Sequence, residues 1–160
     1  MISHHVALTS TLAIYDNFEP DEASLDTLQG TKSVLSLTSW SDFLKLRALI
    51  KQHPRYPSPE IMAQILKKEM GSEREFVRHG GLLMADCDSI GIGGVFAGYG
   101  DQREMELLMQ AGFSPSESAA IYSSYAAKYL GREYIIGTVV LAKGHQVSSC
   151  PGRCLRNESA

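Results

Sequence analysis

Apolar positions along the chain mark out its elements. Residues 5–14 (HVALTSTLAI) combine β-branched and apolar side chains and predict a strand over 5–12. Residues 15–37 turn polar, with Pro20, Gly30 and several acids. They read as a long connection, with a short helix at most near 22–28. Phe43, Leu44, Leu46, Leu49 and Ile50 then fall at helical spacing, and Pro54 and Pro57 stop that helix, giving 41–53. Ser58-Pro59-Glu60 opens another, with Ser58 as its cap and Pro59 at its first position. Ile61, Ile65, Leu66, Met70, Phe76 and Val77 form its expected apolar face, Gly71 its expected break, and Gly80-Gly81 its end.

Residues 82–85 (LLMA) are short and wholly apolar, as a buried parallel strand is. A glycine-rich loop fills 86–100. Asp101 and Glu104 have the spacing of a capping box opening a helix over 102–111, which Gly112 closes. Ser114-Pro115-Ser116-Glu117 is a second such box, and its helix is expected to run to Gly131. Residues 134–141 (YIIGTVVL) predict a third strand, after which the pattern dissolves beyond Lys143.

Strands alternating with helices predict an α/β class. The chain has 160 residues and about three strands. A closed (β/α)8 barrel takes about 250 residues, so this length cannot close one.

Composition narrows the partners. A hydrophobic fraction of 44% supports a packed core. Fifteen basic residues stand against 18 acidic ones, for a net charge of -3. No basic patch points to a nucleic acid or an anionic membrane; Lys67-Lys68 reads as a solvated helix face. No apolar run approaches the roughly 20 residues that span a bilayer. The first residues lack a basic segment and a cleavage site, so no signal peptide is expected and the default location is cytoplasmic. The three cysteines, Cys87, Cys150 and Cys154, show no disulfide framework. Cys150 and Cys154 lie in a polar tail, 148–160, expected to be disordered.

The candidate chemistry centres on Asp88, just past the apolar run 82–85. A carboxylate at the C-terminal end of a parallel strand can hold a divalent metal and take a proton from metal-bound water. Spacing alone favours the plainer reading, an aspartate capping its own turn. Asp86 is a rival carboxylate closer to the strand body, and Cys87 reads as a small core residue. In the loop, Ser89, Gly91, Gly93 and Gly94 are expected to border a ligand. The glycine spacing fits neither a dinucleotide fingerprint nor a P-loop, although a nucleotide-binding α/β domain stays open. The five histidines form no His-x-His or His-Glu-x-x-His pattern. His79, before Gly80, reads as a cation at a helix C-terminus.

The segment 80–133 resembles the end of a metal-dependent amidohydrolase, of imidazolonepropionase-like or prolidase-like type. Asp86-Cys87-Asp88 matches the signature that ends the eighth barrel strand, Glu106-Leu107 and 111–115 match the following helix, 127–131 the next, and 136–139 the return toward a small β domain. Residues 5–12 resemble the seventh strand. The resemblance implies the C-terminal part of a metal-dependent hydrolase (β/α)8 barrel, incomplete in this chain. It covers 1–133, with 134–147 as a strand of the β domain. It implies hydrolysis of a carbon–nitrogen bond in an amide, cyclic amide or dipeptide, with a divalent metal such as zinc. Asp88 takes the place of the aspartate that holds metal and shuttles the proton. The family's histidine ligands have no counterpart here, so the missing barrel half or a partner chain is expected to supply them, and the isolated chain is expected to be inactive. A gene fragment, or a frameshifted or truncated reading, would explain both ends. The other reading is a non-catalytic interaction module or a half-barrel completed by a partner.

Overall fold

A computed structural model describes residues 6–17, 36–52, 57–89, 95 and 98–139. Strand β1 (Ala7–Ser10) is followed by helices α1 (Leu12–Asn17), α2 (Leu37–Gln52) and α3 (Pro59–Arg78). Strand β2 (Leu82–Ala85) comes next, then α4 (Tyr99–Gln110), α5 (Pro115–Tyr122) and α6 (Ser124–Tyr129). The described residues are mostly helical around one two-stranded sheet. β1 and β2 pair in parallel, Ala7 with Leu82 through Ser10 with Ala85. No described helix is long and apolar enough to cross a membrane.

The all-apolar run 82–85 becomes a strand because helices cover it: α3, α5 and α6 pack against β2, and Leu83 is fully buried. The core continues through Leu12, Leu66, Phe76, Leu107, Leu108, Phe113 and Ile121. Helix α1 seals one end by packing on α3 and α4.

Helix α3 keeps its expected limits. Pro59 opens it, and it ends at His79, whose Nδ1–H donates to the Glu75 carbonyl at 2.7 Å. It runs straight through Gly71, whose surroundings are open, and it buries Met62, Leu66 and Phe76 while leaving Ile61 exposed. The Ser114 box forms as read: Ser114 Oγ accepts from the Glu117 N–H, and Ser114 N–H donates to Glu117 Oε2 at 2.7 Å.

Four further expectations about element limits fail in the described residues. The first strand stops at Ser10, and the apolar residues from Leu12 onward wind into α1 instead. Helix α2 begins at Leu37, four residues early, because the Ser36 hydroxyl accepts from the Ser39 N–H. Leu37, Leu44 and Leu49 on this helix remain exposed. The helix expected up to Gly131 breaks at Ser123, whose hydroxyl donates to the Ala119 carbonyl at 2.6 Å while Ser124 donates to that of Ala120. Such bonds to the preceding turn bend helices. Finally, 134–139 forms turns and bends rather than a strand, with Tyr134, Ile135, Ile136 and Val139 exposed. Residues 140 and 141, the helix expected near 22–28 and the tail cysteines lie outside the described residues.

Candidate metal centre

The C-terminal ends of parallel strands gather side chains that no strand neighbour can use. Here β2 continues its ladder one residue further, the Asp86 N–H donating to the Ser10 carbonyl at 3.0 Å. Asp86 is exposed, Cys87 turns into the core at 3% exposure, and Asp88 comes back out to solvent. Asp88 has φ +44, the one described non-glycine residue in the left-handed region. Asparagine and aspartate tolerate that conformation better than most residues, so an aspartate suits the backbone at this position.

The opposite wall is the start of α4. Gly98, at φ +85, lets the chain reverse, and its N–H donates to Asp101 Oδ2 at 3.1 Å. The helix therefore starts at Tyr99. Asp101 sits in its first turn and caps the Gly98 N–H from there, which corrects the expected box of Asp101 as N-cap with Glu104. Gly100 lets this turn press on Cys87: a Cβ added there would lie 2.9 Å from the Cys87 Cβ and 2.3 Å from a Val95 methyl. Close packing brings the Asp101 carboxylate to the strand end. Asp86, Cys87 and Asp101 each offer a ligand atom within 4.8 Å of the others.

The donors are two hard carboxylate oxygens and one soft sulfur. Burial, the Asp101 hydrogen bond and the charges of Asp101 and Asp86 push the Cys87 thiol up to about 11. Negative charge thus crowds the thiol with no described cation among its neighbours. The Tyr122 hydroxyl lies nearby, out of solvent and without a hydrogen-bond partner. Burial raises its phenol pKa, and so do the charges of Glu104, Asp101, Cys87 and Asp86. A borderline divalent ion suits such a mixed oxygen–sulfur set and would hold the thiol as thiolate. Three ligands leave a tetrahedral ion a fourth position.

Reading the sequence named Asp88 and set Cys87 aside as core. Asp88 is not in the group that could share an ion. Asp101 was missed as a ligand; its helical start gave no sign that packing would carry it back to the strand end. Ser89 is exposed beside Asp88, while Gly91, Gly93 and Gly94 lie outside the described residues.

Comparison of the chain with protein-family models, with curated proteins and with solved structures returns no match.

Proposed function

We propose that this chain carries part of the active site of a metal-dependent hydrolase of amidohydrolase type, acting on carbon–nitrogen bonds of small amides, cyclic amides or dipeptides. What supports the reading most is one observation. The parallel strand β2 ends in Asp86-Cys87-Asp88, and the next helix returns Asp101 to within ligand distance of two of them. Asp86, Cys87 and Asp101 would hold a divalent ion such as zinc, with the exposed Asp88 next in sequence to Cys87. When bound, such an ion supplies Lewis-acid polarisation of a carbonyl and a more acidic water. Asp88, exposed at the strand end, would take up a proton and return it to a leaving nitrogen. The buried side of the site, with Cys87 packed against Gly100 and Val95, would exclude water from the metal's inner face.

The remaining ligands belong, in this reading, to a missing barrel half or partner chain. The exposed apolar residues Tyr129, Leu130, Tyr134, Ile135, Ile136 and Val139 favour such a partner, because an apolar stretch this dense is costly to leave in water.

Equilibrium dialysis of the 160-residue chain against Zn2+, with Co2+ as a spectroscopic substitute, tests the centre. One equivalent should bind, with a sulfur-to-cobalt charge-transfer band lost in Cys87→Ser. Affinity should fall about 10-fold or more in Asp101→Asn. Wild-type protein that retains no more metal than a variant lacking Asp86, Cys87, Asp88 and Asp101 would remove the reading.

A further inference from the structure

The hydroxyl of Ser10 stands where three elements meet. It closes β1, and its Oγ lies 2.5 Å from Glu104 Oε1 on α4 and 2.9 Å from Glu73 Oε2 on α3. Ser10 and Glu104 are fully buried. A serine hydroxyl has one hydrogen, so it can donate to one carboxyl only. The second contact is a hydrogen bond only if that carboxyl brings its own proton.

Geometry decides which one does. Glu104 Oε2 accepts the Ala13 N–H at 2.6 Å, and the Leu12 N–H also donates to this carboxylate. The two backbone donors favour the ionised form of Glu104 and hold it as the acceptor, against the burial that raises its pKa. Ser10 therefore donates to Glu104, and Glu73 must donate its O–H to Ser10 Oγ.

We propose that Glu73, Ser10 and Glu104 form a latch holding one shared proton, and that its release lets the Glu73 side chain leave Ser10 and loosens α3 from the end of β1.

The surroundings fit. From its own helix Glu73 faces Glu69, and across the bridge it faces Glu104. Asp16 on α1 adds to the negative field at Glu104 but is itself clamped by Arg103, so that arginine is spent elsewhere. Tyr122 on α5 feels the Glu104 charge and stays a neutral phenol. Beside Glu73 lies a cleft of about 430 Å³, lined also by Thr9, Tyr15, Glu69, Glu75 and His79. Among the described residues His79 is the only basic side chain lining it, and its Nδ1 is engaged by the Glu75 carbonyl. An ionised Glu73 thus finds no donor at Ser10 and a water-accessible cleft on its other side. Burial, with the Glu104 and Glu69 charges, raises the Glu73 pKa to about 7 from its ordinary 4.5.

The sign follows. The folded chain keeps a proton that the unfolded chain has already lost, so the stabilisation is full at acid pH and is lost as pH rises through about 7.

Two measurements on the whole chain test the latch. In Glu73→Gln, the amide N–H replaces the carboxyl proton at every pH. The ratio of wild-type to variant unfolding constants should rise on the order of 100-fold between pH 5 and 7.5. A ratio that stays flat overturns the proposal. Should that variant not fold, carboxyl 13C NMR of the wild-type chain reads Glu73 directly. A midpoint near neutrality, shared by the Ala13 amide and the amides around Glu73 in α3, is the expected result. A midpoint near 4.5, or titration that leaves those amides unmoved, overturns it.

Discussion

Truncating Glu104 to alanine tests whether a buried carboxylate organises the β1–α1 junction. Glu104 has no exposed surface, yet it is an acceptor for the Ser10 hydroxyl and for the Leu12 and Ala13 amides. In Glu104→Ala, Ser10 can re-aim at Glu73, but the two amides lose their acceptor. Each buried donor left unpaired costs about 1–3 kcal/mol. Burial raises the Glu104 pKa, so the wild-type carboxylate carries a desolvation cost that truncation recovers. The net loss should be about 3 kcal/mol, within a range set by these opposing effects. Glu104→Gln keeps the shape and one acceptor oxygen, so its loss should be about half as large. Glu106→Gln is the control, because Glu106 is more exposed and its pairing with Arg103 at 3.0 Å should contribute under about 1 kcal/mol. Urea unfolding at pH 7, followed by far-UV circular dichroism, gives the midpoint and slope. A Glu104→Ala chain that loses less than about 1 kcal/mol at unchanged slope would refute the junction role.

Gly100→Ala should cost about 1–3 kcal/mol by thermal melting, because the added methyl meets a Val95 methyl at 2.3 Å; a neutral result would mean that Val95 moves freely aside. Ser114→Ala should lose about 1 kcal/mol, since Ser114 Oγ caps the Glu117 N–H; urea midpoints would show it. Asp16→Asn leaves the Arg103 guanidinium half-paired at 13% exposure, where it now meets Asp16 through two bonds of 2.8 and 2.9 Å. A loss of about 2–4 kcal/mol is expected, and a salt-sensitive loss below about 1 kcal/mol would class the pair with surface ones.

Legibility in the sequence followed the range of the deciding interaction. β2, the ends of α3 and the Ser114 box were readable because their causes sit within a few residues: an apolar run, a Pro, a glycine pair, a serine and a glutamate. Helix α1 was not, because its first amides are held by Glu104, 91 residues from Ala13. Glu104 itself was misread for the same reason: its spacing from Asp101 suits a cap, but its side chain turns inward to Ser10. The run 134–139 has strand-like residues, yet a strand also needs a neighbour, and the described residues offer it none. At the candidate centre, the end of an apolar strand pointed to Asp88, with Asp86 as a rival and Cys87 as core, whereas the group that could share an ion takes Asp86 and Cys87 and leaves Asp88 out. Asp101 joins them only through the packing of Gly100 on Cys87.

The single sheet also sets an order of events for the nascent chain. Residue 7 pairs with residue 82, so β1 has no strand partner until about 70 further residues have followed it. Closing the loop of about 70 residues between the strands costs about 4 kcal/mol of chain entropy before the first ladder bond forms. Helix α3 with its own caps can form early and present Leu66 and Phe76 as a surface on which both strands condense. The sheet then assembles only after α3, and the free β1 segment is exposed to other chains for as long as synthesis of β2 takes.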